Sequence, residues 1–375
     1  MGSGEGGEDR VPGGEEAALL PRRFDGYLRT SLLGTDALGT VFRALCLTEG
    51  SAGFVRLRIF NAPELTAEEV AEAFREQKSA PAPPESPAIV QRSTLDVHDG
   101  VPYLAWNEAH GSSLDNVLSA LSSAGRALPF EHALYIADRL CVALEHAARA
   151  GRATARHGLV WPGFVTIGRD GGVRLGGFGL APAVLPQLSR PRLSREIAPY
   201  VAPEAREGEL GETVADVYSL GAVLFEMLTG ARPPARSAAE SLPEEKSLPR
   251  GARDMLRNAL GPSHIRTASA GFFRREIGQV LVANTLSPSS RELGQFVADL
   301  LGTAPSASID GAPVPVVVSQ REEDEWEQAL SRLEPSGEGL PLPLSRSGPK
   351  ARVPLPPASP GKRPPRRPPK TDPSR

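Results

Sequence analysis

Lysine is nearly absent from this chain. Of 42 basic residues only Lys78, Lys246, Lys350, Lys362 and Lys370 are lysine; the rest are arginine. Arginine replaces lysine wherever charge alone matters, but chemistry that requires a lysine finds none between Lys78 and Lys246. Cysteine is as scarce. Cys46 and Cys141 are too few for a disulfide scaffold, and neither stands in a metal-ligand spacing. The six histidines form no such spacing either, so no metal site is expected. No run of 18 apolar residues occurs, which argues against a transmembrane helix and membrane insertion. The acidic, glycine-rich start (MGSGEGGEDR) is unlike a secretory signal, so the expected compartment is the cytoplasm. A net charge of −3 over 375 residues gives no electrostatic case for specific nucleic-acid binding. No G-x-S-x-G, H-E-x-x-H or P-loop sequence appears.

Hydrophobic patterning divides the chain. Residues 1–22 carry no hydrophobic period and read as a disordered leader. Residues 23–106 are strand-rich, with short β-type runs at Tyr27–Leu33, Thr40–Leu47, Phe54–Phe60, Ala88–Gln91 and Val101–Trp106. A helix is expected over Glu64–Gln77, with Thr66 as its cap. Residues 107–303 are mainly helical: Phe130–Ala150 carries an apolar stripe, Asp216–Leu228 is apolar nearly all round, and Gly251–Leu260 and Ala268–Ala283 follow. A small β-rich lobe before a larger helical one is an α+β architecture. Residues 304–375 are proline-rich, lack any aromatic after Trp326, and are expected to be disordered. Within that tail 321–333 (REEDEWEQALSRL) forms an amphipathic stretch suited to a short helix that docks on a partner or on its own chain. The basic, proline-spaced end from Arg346 to Arg375 reads as a solvated tail.

The motifs follow in a fixed order. Gly34-Thr35-Asp36-Ala37-Leu38-Gly39-Thr40-Val41 is a glycine-containing turn between strands. Val55-Arg56-Leu57-Arg58 lies on the next strand and Glu76 near the end of the first helix. Then come His157-Gly158-Leu159-Val160-Trp161-Pro162-Gly163-Phe164, Gly176-Gly177-Phe178-Gly179-Leu180-Ala181, Ala202-Pro203-Glu204, Asp216-Val217-Tyr218-Ser219-Leu220-Gly221, and Arg266. Together these resemble the protein kinase superfamily, most of all its bacterial serine/threonine group. The resemblance implies the two-lobed kinase fold, with a nucleotide site at Gly34, Gly39, Val41, Arg58 and Glu76. It also implies that Glu204 pairs with Arg266, and that His157 supports the backbone.

The departures fall on the chemistry. Phosphoryl transfer needs a phosphate-binding lysine, magnesium-binding Asp and Asn, and an Asp at the acceptor hydroxyl. At the corresponding positions this chain carries Arg58, Gly177, Phe164 and Leu159, and Trp161 stands at the catalytic-loop lysine. None of Leu, Phe, Gly or Trp binds magnesium or accepts a proton through its side chain. Few neighbours offer a substitute. Between Leu140 and Ala215 the one aspartate, Asp170, lies in a Gly-Gly turn, and there is no asparagine. Glu145 and Glu196 are not placed by any motif, and of the two Glu196 lies in a segment able to approach the cleft. Asp36 brings a carboxylate to the phosphate-cradling loop, and Arg56 and Trp106 crowd the place where adenine would lie. Two readings follow. One is an inactive, pseudokinase-type domain that acts through protein partners as a scaffold or allosteric regulator, with no cofactor and weak or absent ATP binding. The other is an active or atypical serine/threonine kinase that transfers phosphate from ATP.

Overall fold

The computed structural model describes residues 20–47, 53–77, 84–107, 111–150, 156–208, 213–234, 238–244 and 247–302. The expected leader up to residue 19, the tail from 303 and its amphipathic stretch lie outside the described residues.

The first lobe is a six-stranded antiparallel sheet in the order β1-β2-β3-β4-β6-β5. Its strands are β1 (Arg22–Phe24), β2 (Tyr27–Asp36), β3 (Gly39–Cys46), β4 (Gly53–Ile59), β5 (Arg92–His98) and β6 (Val101–Asn107). The sheet already begins at Arg22, one residue inside the stretch read as leader. Period-two alternation sorts β4 into two faces. Val55, Leu57 and Ile59 join Phe42, Ala44 and Tyr103 in a small outer core. Arg56 and Arg58 point the other way, toward the second lobe, and are almost fully buried.

Helix α1 (Ala67–Gln77) follows β4 and packs Val70, Ala71 and Phe74 against the sheet. It starts later than Glu64. The Thr66 carbonyl accepts the Val70 N–H at 3.1 Å, while the Thr66 hydroxyl is taken by Arg190 instead of capping the helix. The apolar run Ala88–Gln91 is not a sheet strand. Val90 N–H donates to the Leu175 carbonyl, and Leu175 N–H to the Ala88 carbonyl, at 2.9 Å each. Its backbone groups are thus spent on the second lobe, and the sheet takes Arg92–His98 instead.

The second lobe opens with β7 (Gly111–Ser113), α2 (Leu114–Ser123) and α3 (Phe130–Arg149). β7 pairs with the hairpin β8 (Val165–Gly168) and β9 (Val173–Leu175). The hairpin turn holds Asp170, whose Oδ1 accepts the Gly172 N–H at 2.9 Å, as the sequence suggests. Short helices α4 (Ala181–Val184), α5 (Pro191–Glu196) and α6 (Pro203–Arg206) lead to α7 (Val214–Thr229). Every residue of α7 from Ala215 to Leu228 is buried, which is why its sequence is apolar nearly all round, with Asp216, Ser219 and Glu226 as the polar exceptions. Helices α8 (Ala252–Leu260), α9 (Ala270–Ala283) and α10 (Ser290–Leu301) close the lobe. Ser269 and Ser289 cap α9 and α10 by accepting the N–H groups of Phe272 and Glu292. This is a two-lobed α+β protein. Among the described residues no helix is long and apolar enough to cross a membrane.

Candidate functional site

The cleft between the lobes is the candidate site. It encloses about 70 Å³, and a bound water needs roughly 10–15 Å³ of such space. Gly34, Val41, Arg58, Phe164 and Gly177 line it, and so do Arg56 and Trp106. Gly39 does not line it. Its backbone (φ +136°) runs so close to β4 that a β-carbon would meet the Ile59 carbonyl at 2.1 Å. That close approach is what the second glycine of the turn provides.

Arg58 does not pair with Glu76. Its Nη1 donates to Asp36 Oδ1 at 2.5 Å, and that same oxygen accepts the Leu38 N–H at 2.9 Å. Glu76 is exposed at the end of α1 and does not line the cleft. Arg56 reaches across the cleft and donates from Nη2 to the Gly111 carbonyl, tying β4 to β7.

The floor of the cleft carries the Phe164 ring, 5% exposed, while fully buried Leu159 and Trp161, 1% exposed, do not line the cleft. The two aromatic rings meet edge to face with centroids 5.7 Å apart. Trp161 lies over Gly163, where a β-carbon would meet the indole at 2.3 Å; its own N–H finds no partner. The Phe164 ring occupies the space in front of Gly177, whose φ is +82°. The Arg58 guanidinium lies 5.5 Å from the centre of that ring. Two acids line the cleft, Asp36 and Asp115. Burial pushes the Asp115 carboxyl above its ordinary range, and nearby Asp36 adds to the shift. Sequence reading did not single out Asp115, because nothing local marks the first turn of α2 as part of the cleft. Among the described residues no group of three or more His, Cys, Asp or Glu is placed to hold a metal ion.

The supports behind the floor are intact. The Asp216 carboxylate accepts the backbone N–H groups of His157 at 3.1 Å and Gly158 at 2.8 Å. Burial lifts Asp216 to about 6, against those two hydrogen bonds, which hold it down. The His157 ring is neutral in this arrangement. Nδ1 accepts the Leu159 N–H at 3.2 Å while Nε2 donates to the Gly176 carbonyl at 2.6 Å, and burial brings the ring down to about 4. Phe178 packs edge-on against it at 4.6 Å. Arg266 holds Glu204 with two bonds, Nη1 to Oε1 at 2.5 Å and Nη2 to Oε2 at 3.2 Å.

The segment after Phe178 coils into α4 and α5 and grips the start of α1. Gln187 Oε1 accepts the Thr66 N–H at 3.0 Å, and the Arg192 N–H donates to Glu64 at 2.5 Å. Arg190 reaches the Thr66 hydroxyl and Glu69. Glu196 is held by Arg192 and Arg195 of its own helix, and Glu145 pairs with Arg149 and Arg274 on another face. Neither glutamate lines the cleft.

A family model described as protein tyrosine and serine/threonine kinase matches residues 29–255. The chain belongs to that kinase family. Among curated relatives it is 26% identical over 240 residues to a probable serine/threonine-protein kinase of Clostridium perfringens, covering 62% of this chain and 34% of that protein. It is 29% identical over 213 residues to the serine/threonine-protein kinase PknA of Mycobacterium tuberculosis, covering 55% of this chain and 47% of that one. A probable serine/threonine-protein kinase of Streptomyces coelicolor matches at 30% over 225 residues, 57% of this chain and 32% of that one. The chain therefore spans less than half the length of each of these kinases. In fold it is similar to the crystal structure of the Mycobacterium tuberculosis PknI kinase domain. There the TM-score is 0.53 and the identity 22%, over 69% of this chain and 98% of that one.

Proposed function

We propose that this kinase-family domain is catalytically inactive and acts by binding proteins, as a scaffold or an allosteric regulator in signalling. One observation carries the reading: the Phe164 ring fills the space before Gly177, so a metal-binding Asn and Asp are replaced by a packed pair with no ligand atoms. Transfer of a phosphoryl group depends on charge neutralisation by metal and cationic groups in fixed positions. Leu159 offers no oxygen to take a proton from an acceptor hydroxyl. The intact His157–Asp216 and Glu204–Arg266 supports favour a body kept for its shape.

The names of the relatives favour a second reading, an active or atypical serine/threonine kinase using ATP. A transfer assay separates the two. The purified full chain is incubated with labelled ATP and magnesium or manganese, with and without a generic acceptor protein. No incorporation above a metal-free control is expected. Metal-dependent labelling of the chain or the acceptor overturns the inactive reading.

A further inference from the structure

Helix α9 leaves one side without a partner. Phe273, Ile277 and Val280 are buried in the second lobe, whereas Phe272, Arg275, Gln279 and Val282 are all exposed. Their spacing of three, four and three residues sets these four together on the opposite side of the helix. Phe272 and Val282 are 53% and 82% exposed, two of the four large apolar side chains that the described residues leave in solvent. The Arg275 guanidinium lies 4.9 Å from the centre of the Phe272 ring, so one end of the face is both aromatic and cationic. Gly278 lies beside Arg275 and Val282, and a β-carbon there would meet nothing within 4 Å. Glycine weakens a helix relative to alanine, and no contact among the described residues calls for this one. It leaves a notch in the middle of the face. Past the other end, the backbone of exposed Arg250 is bonded by the Asn284 side chain at 2.9 and 3.1 Å, which adds a second cation. The one acid of α9, Glu276, accepts from the Thr267 hydroxyl at 3.1 Å.

The chain itself carries a segment of complementary character. Residues 321–332 (REEDEWEQALSR) hold five acids, Glu322, Glu323, Asp324, Glu325 and Glu327, against two arginines, with Trp326 and Leu330 four apart. Residues 303–320 separate that segment from Gly302, the cap of α10. A connection of this length extends to about 60 Å, twice the roughly 30 Å width of a small domain. It therefore reaches any side of the second lobe. We propose that residues 321–332 of the same chain dock on the outer face of α9. Trp326 and Leu330 meet Phe272, Gly278 and Val282, and the acids face Arg275 and Arg250. One helix face is too small for a stable complex between separate molecules, which bury about 800 Å² on each partner. Tethering offsets this, because a flexible linker holds the segment at about millimolar effective concentration. The docking is independent of phosphate transfer, so the transfer assay and the experiment below fail separately.

The test is the rate at which a maleimide labels a cysteine placed in the face. Val282→Cys is made in the full-length protein, with and without Trp326→Ala/Leu330→Ala, and labelling at that position is followed by peptide mass spectrometry. Val282 is exposed, so its replacement leaves the core intact. Glu68→Cys, at an exposed position of α1, is the control. Removing the two apolar side chains of the segment is expected to speed labelling at position 282 about fivefold or more, with position 68 unchanged. Equal rates at position 282 with and without Trp326 and Leu330 overturn the proposal. So does a parallel rise at position 68, which marks general loosening. Protection that fades on dilution of the protein overturns it as well, because a second copy then covers the face in place of the tethered segment.

Discussion

The backbone of Gly177 lies directly against the Phe164 ring: a β-carbon there would stand 2.5 Å from Phe164 Cδ2 and 2.6 Å from Cγ. The two positions are therefore coupled by contact. An aromatic at 164 is tolerated because 177 has no side chain, and a side chain at 177 requires 164 to shrink.

Gly177→Asp alone is expected to destabilise by about 2–4 kcal/mol, through overpacking and a positive φ. The double variant Phe164→Asn/Gly177→Asp should lose less than the sum of its singles, with a coupling of about 1–2 kcal/mol in a denaturation cycle. Strict additivity would show that the two positions pack independently.

Trp161 is anchored by its rings and not by its N–H, which has no partner. Trp161→Phe keeps an aromatic ring and removes the orphan donor, so its stability should fall within about 1 kcal/mol of the unaltered protein. Trp161→Ala empties the site and should cost about 3–5 kcal/mol. Urea midpoints measure both, and equal losses would contradict this packing.

The Glu204–Arg266 pair is buried on the arginine side, with Arg266 1% exposed. Burial works to raise the Glu204 carboxyl, but its bonds to Arg266 bring it net below its ordinary range. Glu204→Gln leaves a buried guanidinium without its counter-charge, and a loss of about 3–5 kcal/mol is expected in urea denaturation. A loss under 1 kcal/mol, the range of exposed pairs, would mean that the bridge is merely superficial.

His157 and Asp216 oppose each other as pH changes. Neutral His157, brought down to about 4 from 6.5, contributes stability that is lost as pH falls through that window. Asp216, raised to about 6 from 3.8, does the reverse: its contribution is full in acid and lost as pH rises toward 6. Each contribution is on the order of 3 kcal/mol, so the two nearly cancel in the unaltered protein. Asp216→Asn removes one, and its stability should rise more steeply than the parent's between about pH 4 and 6. Parallel profiles in denaturation at several pH values would reject the assignment.

The grip of the 180–200 segment on α1 depends on Gln187 and Arg190. Replacing both with alanine should speed tryptic cleavage at Arg192 and Arg195 several-fold, measured by limited proteolysis. Unchanged cleavage would show that burial of Val184 and Leu193 holds the segment by itself.

The sequence determined the two-lobed plan and most of the elements, because period-two and period-3.6 patterns reflect which face each element buries. It misplaced strand β5, since an apolar run such as Ala88–Gln91 does not reveal which backbone takes its hydrogen bonds. The scarcity of lysine and the residues at 159, 161, 164 and 177 were legible as a change in chemistry, because side-chain type alone decides whether a group can bind metal. Other facts are relations across long sequence separations, and only the tertiary structure decided them. Arg58 faces Asp36 and not Glu76, Asp115 joins the cleft, and Phe164 and Gly177 exclude each other's side chains. Pairing and close contact depend on distances that no local pattern encodes.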